Sequence, residues 1–170
     1  VNSYKCLGVQ VDETLSWEAH ISESFIFPHL DYCSAVWGYI GNGLSQKLEK
    51  LQNRAARIIT GSSWDASSAP ILHALKWDSF ADRRAKQLKS LMFKTVNNLV
   101  PEYLSDNFAS INTIHRHNLR GAQHNLFIPR PNTEALKKRF RYRGAVTWNS
   151  LSAEAKQATT FNCFYSAIVH

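Results

Sequence analysis

Two stretches of this sequence repeat apolar residues every three or four positions, and this period commits the middle of the chain to amphipathic helices. In the first stretch, Ser45 is a candidate N-cap and Gly61 a candidate C-terminal glycine. The second is expected to begin at Ser79, in a variant capping box with Asp82 in place of the usual Glu, and to end near Asn98. The predicted core positions are Leu48, Leu51, Ala55, Ile58 and Ile59 in the first helix and Ala81, Ala85, Leu88, Met92, Val96 and Leu99 in the second.

The segments outside these helices are shorter and more varied. Residues 4–11 predict a strand followed by a turn at 12–13, and residues 15–17 begin a second strand or a helix. The run 30–40 is a buried helix or a strand, which its apolar period leaves open. Short helices are expected at 67–76, 101–108, 133–139, 144–151 and 161–169, with a surface loop at 109–133 that contains a candidate edge strand near 125–128. The predicted fold is therefore mainly α, an irregular helical assembly with a short N-terminal β-hairpin.

The net charge of +7 is concentrated in the last third of the chain. Residues 1–108 hold 11 Lys or Arg and 11 Asp or Glu, so their formal charge is zero. Residues 109–170 hold 9 Lys or Arg and only 2 Asp or Glu, which accounts for the whole excess. Such an asymmetry indicates an acidic partner, usually a phosphate backbone.

The first helix carries a basic stripe beside its apolar face. Its members are Lys47, Lys50, Arg54 and Arg57. They form either the solvated rim of a helix that faces the core or a surface that follows phosphates along a nucleic acid.

A denser basic cluster occupies residues 137–143, where seven residues include five cations and two aromatic residues. Its members are Lys137, Lys138, Arg139, Phe140, Arg141, Tyr142 and Arg143, and Trp148 follows shortly. One interpretation is a groove in which the cations neutralise phosphates while the rings stack on bases. In the alternative, Phe140 faces inward with Gly144 and Trp148, at helical spacing of four, and the cations stay outside. The sequence leaves both open.

No arrangement of residues predicts catalysis, a metal ion or a cofactor. The only adjacent carboxylates, Asp12 and Glu13, lie in an expected turn without further acidic residues nearby. His115, His117 and His124 lack partners at zinc-binding spacing. Cys33 and His29 lack an orienting residue or oxyanion motif, and the glycines form no phosphate loop. We therefore expect a chain that is not an enzyme and takes no small-molecule substrate.

Sequence composition also predicts where in the cell the chain is located. No apolar run approaches the roughly 20 residues that span a bilayer, and the N-terminus has no signal-peptide pattern. Cys6, Cys33 and Cys163 are odd in number and widely spaced, so we expect buried free thiols in a reducing compartment. These features predict an intracellular protein, nuclear or cytoplasmic, that is neither secreted nor bound to a membrane. Val1 in place of an initiator Met indicates a chain cut from something longer.

An ordered set of strings resembles one known family. The strings are YKCLGV (4–9), LSWEAHI (15–21), PHLDYCSAVWG (28–38), LEKLQNRAARIITG (48–61), NLR (118–120), PRPNT (129–133) and YRGAVTWNSL (142–151). Their order is similar to the C-terminal part of reverse transcriptases from jockey-like non-LTR retrotransposons. The resemblance covers nearly the whole chain, and it depends on the ordered set because each string alone is weak.

The resemblance implies the thumb and post-thumb region of an RNA-directed DNA polymerase. It implies an end-of-palm β segment with a shortened connector at 1–27, a helical thumb-like region at 28–108 and a basic helical extension at 109–170. The family's paired catalytic aspartates lie upstream of these strings, so no catalytic position is carried over. The implied partners are template and primer, RNA or DNA, bound weakly, and a separate polymerase core. The candidate nucleic-acid contacts are Lys47, Lys50, Arg54, Arg57, Arg120, Arg130, Lys137, Lys138, Arg139, Arg141, Tyr142 and Arg143.

The chain departs from the family at one place. Only residues 22–27 join the strings around His20 and Pro28, where family members have a longer helical stretch. This departure implies an internally deleted transposable-element fragment with uncovered apolar faces. Three hypotheses follow: a nucleic-acid-binding remnant, a helical module that docks on another protein, and a non-functional pseudogene product that does not fold cooperatively.

Overall fold

The computed structural model describes residues 3–6, 9–12, 21–32, 34, 40–114 and 124–169. This part of the chain is mainly helical, which confirms the predicted fold class. The chain divides into two compact units, Val1–Arg84 and Ala85–His170, and each is described by itself. The three ranges implied by the family resemblance, 1–27, 28–108 and 109–170, stay a prediction.

The first unit begins with two short antiparallel strands, β1 (Ser3–Cys6) and β2 (Val9–Asp12). Ser3 pairs with Asp12 and Cys6 pairs with Val9. The single strand predicted over 4–11 is therefore wrong, since the segment pairs with itself and Asp12 ends the second strand. A hairpin satisfies its backbone groups locally, whereas one long strand needs a partner from elsewhere. The second element expected at 15–17 lies outside the described residues.

A π-helical turn (Ser22–Ile26) leads into α1 (Phe27–Asp31). Pro28 lies in the first turn of α1, where its missing N–H costs no helical hydrogen bond. The helix ends at Tyr32, whose ψ of 118° leaves the helical region. The first residues of the predicted run 30–40 therefore belong to the end of a helix. Most of the rest of that run lies outside the described residues.

Helix α2 (Asn42–Thr60) is the first of the two predicted long helices. Gly61 ends it in the left-handed conformation, at φ 61°, with its N–H directed to the carbonyls of Arg57 and Ile58, as predicted. The prediction that Ser45 is the N-cap is wrong because the helix begins earlier, at Asn42 after Gly41. The Ser45 hydroxyl instead accepts a hydrogen bond from Arg84 Nη2 at 2.9 Å.

The inward face of α2 is centred on Gln52 and Ala56, which are 2% and 0% exposed. Leu51 and Ile58, predicted to be core residues, are 58% and 71% exposed, so that part of the prediction is wrong. The Gln52 side chain donates to the Asp78 carbonyl at 2.7 Å, which brings a polar residue inside. The small core of this unit consists of Ala56, Ile71 and Trp77, with Ile26, Phe27, Ile59, Ala66, Leu72 and Leu75 packed against it.

The helices that follow confirm the predicted order with shifted ends. Helix α3 is Ser68–Ala74 and α4 is Phe80–Val96, within which the division between the units falls. The Ser79 hydroxyl accepts from the Asp82 N–H at 3.2 Å, as in a capping box. Asn98, at φ 55°, lies in the left-handed conformation two residues after the end of α4. Leu88 and Met92 are buried as predicted, whereas Ala81, Ala85, Val96 and Leu99 are exposed and the buried positions include Phe80, Phe93 and Thr95.

The second unit continues with short helices around one aromatic core. They are α5 (Glu102–Ser105), α6 (Ile111–Ile114), α7 (Glu134–Lys137), α8 (Phe140–Asn149), α9 (Ala153–Lys156) and α10 (Phe161–Val169). Thr133 caps α7 as expected, since its hydroxyl accepts from the Leu136 N–H. Helix α8 begins four residues earlier than predicted, and α6 and α9 were not predicted. The core consists of Met92, Phe93, Leu126, Ala145, Trp148, Ala155 and Phe164.

Residues 125–128 do not form the predicted edge strand. Leu126 pairs with another backbone segment at only one position, and its own N–H and carbonyl bond to a side chain. Leu126 makes one antiparallel bridge, with Ser110. The Asn149 amide bonds to the Leu126 N–H and carbonyl, both at 2.8 Å. Trp148 Nε1 donates to the His124 carbonyl at 2.7 Å. Two side chains of α8 thus take the place of a strand partner.

Cys163 is exposed, so the prediction that the cysteines are buried is wrong for this residue. No helix in the described part of the chain is long and apolar enough to cross a bilayer.

Candidate nucleic-acid interface

The basic stripe of α2 lies on the side of the helix turned away from Gln52 and Ala56. Lys47, Lys50 and Arg54 are exposed, and Arg57 is half-buried. A surface cleft of about 600 Å³ lies at the C-terminal end of this side. We call it the Trp64 cleft; its lining residues are Lys50, Arg54, Arg57, Ile58, Gly61, Ser62 and Trp64. The structure thus brings three of the four predicted α2 cations together with an indole ring, and Lys47 is not part of the lining.

The backbone beneath Trp64 is fixed by hydrogen bonds that begin at the end of α2. The Ser62 N–H donates to the Arg57 carbonyl at 3.0 Å, which folds the chain back after Gly61. The Ala66 N–H then donates to the Ser63 carbonyl at 3.1 Å, which closes a turn that has Trp64 as its second residue.

A side chain of α2 attaches this turn to the helix. Arg57 Nε donates to the Ala66 carbonyl at 2.9 Å. The hydroxyls of Thr60 and Ser62 also share a hydrogen bond of 2.7 Å. Trp64 is therefore presented on a turn that is bonded to the helix end through Ser62, the residue before the turn, and through Ala66, its last residue.

Trp64 is 86% exposed, and Ile58 beside it in the cleft lining is also exposed. Sequence reasoning missed Trp64 because it belongs to no periodic apolar pattern. A signal was nevertheless present: Trp64 stands between Ser63 and Asp65, directly after the glycine that ends a basic helix. A large ring in a polar turn has no apolar neighbours in sequence with which to form a core.

One carboxylate adjoins this cationic surface. Asp65 accepts a hydrogen bond from the Ser63 hydroxyl, and this bond is the largest cause that lowers the pKa of Asp65 below its usual 3.8. A backbone hydrogen bond and the positive charge of Arg57 lower that pKa further. Asp65 is therefore ionised at neutral pH and offsets part of the charge of Arg57, while Lys50 and Arg54 keep the local balance positive.

The cations of the 137–143 cluster lie on the outside of the second unit. Lys137, Lys138, Arg139 and Arg141 are exposed and Arg143 is half-buried. Lys137 forms an ion pair with Glu134, one turn earlier. Three of the cations precede the first turn of α8 or lie at its N-cap, where helix N–H groups already favour negative charge.

The aromatic residues of the cluster do not form a stacking surface. Phe140 packs edge-on against Phe108, with ring centroids 5.3 Å apart. Gly144 is buried, and Trp148 is 1% exposed. The interpretation in which Phe140 faces inward with Gly144 and Trp148 is therefore confirmed, and the proposed stacking of Phe140 on bases is wrong. Tyr142 is half-buried.

The other predicted contacts are distributed differently. Arg130 is exposed in an irregular stretch of the second unit. Arg120 lies outside the described residues, as do His115 and His117. Within the described ranges, no three His, Cys, Asp or Glu residues are grouped closely enough to hold a metal ion.

Comparison of the chain with models of known protein families, with curated protein sequences and with solved structures gives no significant match.

Proposed function

We propose that this chain is a non-catalytic fragment of a reverse transcriptase of the jockey-like non-LTR type that binds RNA or DNA through its phosphates. The observation that carries the proposal is the position of the 137–143 cluster. Its apolar ring packs inside, while Lys137, Lys138, Arg139 and Arg141 stay exposed on a segment with very few acidic residues. Cations this dense exceed what solubility requires, and a phosphate backbone is the partner that matches them.

The basic side of α2 supports the same role in the first unit. Lys47, Lys50 and Arg54 are exposed on the side of α2 away from the core. Lys50 and Arg54 line one cleft together with the half-buried Arg57. The resemblance adds template and primer as the expected ligands and a separate polymerase core as a protein partner. An intracellular location, nuclear or cytoplasmic, goes with this role and stays a prediction.

The salt dependence of RNA and DNA binding tests the proposal. We expect log K to fall linearly with log salt, with a slope of about −0.7 per phosphate contact for single strands and about −0.9 for duplexes. Changing Lys137, Lys138, Arg139, Arg141 and Arg143 to Gln is expected to make this slope shallower and to lower the affinity at low salt.

A matched pair of double variants separates a local surface from overall charge. Lys138→Gln with Arg139→Gln removes two cations of the cluster, and Lys76→Gln with Lys89→Gln removes two cations outside both predicted surfaces. Equal losses of affinity in the two double variants, or binding that ignores salt, would refute the proposal.

One observation favours a second function, docking on another protein. Leu44, Leu51 and Ile58 recur every seven residues on α2 and are all exposed, which forms an apolar stripe beside the basic one. Light scattering on nuclease-treated protein tests this alternative. Self-association that persists without nucleic acid and disappears in Leu51→Ser would favour it.

A further inference from the structure

We propose that the Trp64 cleft is a binding site for single-stranded nucleic acid, in which an unpaired base stacks on the Trp64 indole while Lys50, Arg54 and Arg57 contact successive phosphates. This inference rests on the proposed nucleic-acid binding. It adds a preference for single strands, a site in the Trp64 cleft and a role for Trp64, none of which the charge pattern predicts.

The cations of the cleft are arranged for a polymer. Lys50, Arg54 and Arg57 follow one side of α2, and seven residues of helix extend for about 10 Å. A nucleic-acid backbone offers a row of phosphates, whose charges match cations spread along a helix. The cations therefore fit a strand that runs along the helix.

The Arg57 guanidinium is held in place before any ligand binds. Its Nε–H is committed to the Ala66 carbonyl, so the plane that carries its other N–H donors is already oriented. An oriented planar fork loses little side-chain freedom when it bonds to phosphate. Arg57 also lies in the last turn of α2, where a cation offsets the partial negative charge of the helix end.

Trp64 offers a stacking surface that only an unpaired base can use. Its exposed ring is carried at the second position of a hydrogen-bonded turn, so little backbone freedom is lost when a base stacks on it. Every base has a π face, and stacking on an aromatic ring therefore tolerates any sequence. In a duplex the bases are already stacked and paired, and exposing one requires unpairing it. The site is therefore expected to prefer single strands.

Fluorescence anisotropy of the full chain at low salt tests the inference, with labelled oligo-dT of about a dozen nucleotides and the corresponding dA·dT duplex as probes. Trp64→Ala is expected to weaken binding of the single strand about 5- to 150-fold and to leave duplex binding unchanged. Trp64→Phe keeps a stacking ring and is expected to retain most of the affinity. Tyr103→Ala, which removes a ring in the other unit that is 70% exposed, is the control and is expected to bind as the unaltered chain does.

The phosphate contacts are tested separately. Lys50→Gln with Arg54→Gln is expected to reduce the salt slope for oligo-dT by about 0.7 per lost contact, whereas Trp64→Ala leaves the slope unchanged. Thermal melts check the fold, and because these side chains are exposed the melting temperatures are expected to stay the same.

The outcomes distinguish this inference from the function on which it rests. Unchanged oligo-dT affinity in Trp64→Ala, with salt-dependent binding retained, overturns the stacking site and leaves the proposed function standing. Absence of any binding at low salt overturns both. Competition by polyglutamate as strong as that by unlabelled oligo-dT overturns the inference as well, because the cleft is then a surface for acidic polypeptides.

Discussion

Asn149 pairs with Leu126 through both ends of its side-chain amide: Oδ1 accepts from the Leu126 N–H and Nδ2 donates to the Leu126 carbonyl, each at 2.8 Å. A side chain therefore bonds to this buried residue as a neighbouring strand would. Trp148, the preceding residue, donates a single hydrogen bond from its indole Nε1 to the His124 carbonyl. Two adjacent polar groups of one helix thus hold an irregular segment against the core of the second unit.

Asn149→Ala is expected to destabilise the chain by about 2–4 kcal/mol, because it leaves two buried backbone groups of Leu126 without their partner. Urea unfolding followed by circular dichroism measures this difference. Asn132→Ala, at an exposed position of the same unit, is the control and is expected to change the free energy of unfolding by less than about 0.5 kcal/mol. Similar values for the two variants would show that the Leu126 backbone does not depend on Asn149.

Gly144 lies where α8 approaches α4, and a Cβ there would be 2.5 Å from Met92 Sδ and 2.9 Å from Phe108 Cζ. The methionine can shift, but the Phe108 ring is packed edge-on against Phe140. We expect Gly144→Ala to cost about 1–2 kcal/mol, since overpacking outweighs the gain in helix propensity.

Gly43→Ala is the matched control for this change. A Cβ on Gly43 meets nothing within 4 Å, and the substitution in the first turn of α2 is expected to stabilise the chain by about 0.5–1 kcal/mol. Thermal or urea unfolding of the two variants should therefore give shifts of opposite sign. A stabilised Gly144→Ala variant would mean that the core of the second unit has room for a methyl group.

Arg83 and Asp31 join α4 to α1 within the first unit. Arg83 Nε donates to Asp31 Oδ1 at 2.6 Å, its Nη2 bonds to the second carboxylate oxygen, and its guanidinium lies 3.6 Å from the centre of the Phe27 ring. Because both side chains are partly exposed, Asp31→Asn is expected to cost only about 1–2 kcal/mol in urea unfolding.

Arg83→Lys is expected to cost a similar amount, because an ammonium keeps the charge but cannot form the two parallel bonds. Asp106→Asn, an exposed carboxylate in the other unit, is the control and is expected to be neutral. Full stability in Arg83→Lys would show that charge alone, rather than bidentate geometry, joins these helices.

The contribution of the Trp64 turn to stability is expected to depend on pH. The Ser63 hydroxyl bond is the main cause of the lowered pKa of Asp65, so Ser63→Ala is expected to raise that pKa toward 3.8, as an NMR titration of the carboxyl carbon would show. A carboxylate whose pKa is lower in the folded state adds stability above its unfolded pKa and loses it as pH falls through the folded value. The cost of Ser63→Ala should therefore be present at neutral pH and vanish as pH falls through the lowered pKa of Asp65 in the folded state. A cost that is the same on both sides of that pKa would contradict this account.

The sequence predicted the long helices because their stop and start signals are local. Gly61, Ser79 and Thr133 act within one turn of their own backbone, and each does what its residue type favours. The side of α2 that faces the core was predicted wrongly because it depends on a distant partner. Gln52 is buried through its hydrogen bond to the Asp78 carbonyl, which no apolar period reveals.

The candidate site shows the same division between local and distant causes. The basic stripe could be read from spacing alone, but its convergence with Trp64 depends on how the chain folds back after Gly61. The cluster at 137–143 was left open between two interpretations because the inward position of Phe140 is decided by Phe108, about thirty residues earlier in the chain. The pattern of charges thus predicts which surface is basic. Whether the aromatic side chains between those charges face the core or the solvent can be seen only in the structure.

The orientation of α2 can be tested by substitutions on its two sides. Leu51→Ala removes an exposed side chain and is expected to change the free energy of unfolding by less than about 0.5 kcal/mol. Ala56→Leu adds bulk at a fully buried position packed with Ile71 and Trp77, and is expected to cost about 1–3 kcal/mol. If Leu51 faced the core, as the apolar period predicts, Leu51→Ala would instead cost about 2–5 kcal/mol, the usual loss when a core leucine is truncated. A stable Leu51→Ala variant together with an unstable Ala56→Leu variant therefore places the apolar and basic stripes of α2 on the surface, where the proposed interfaces require them.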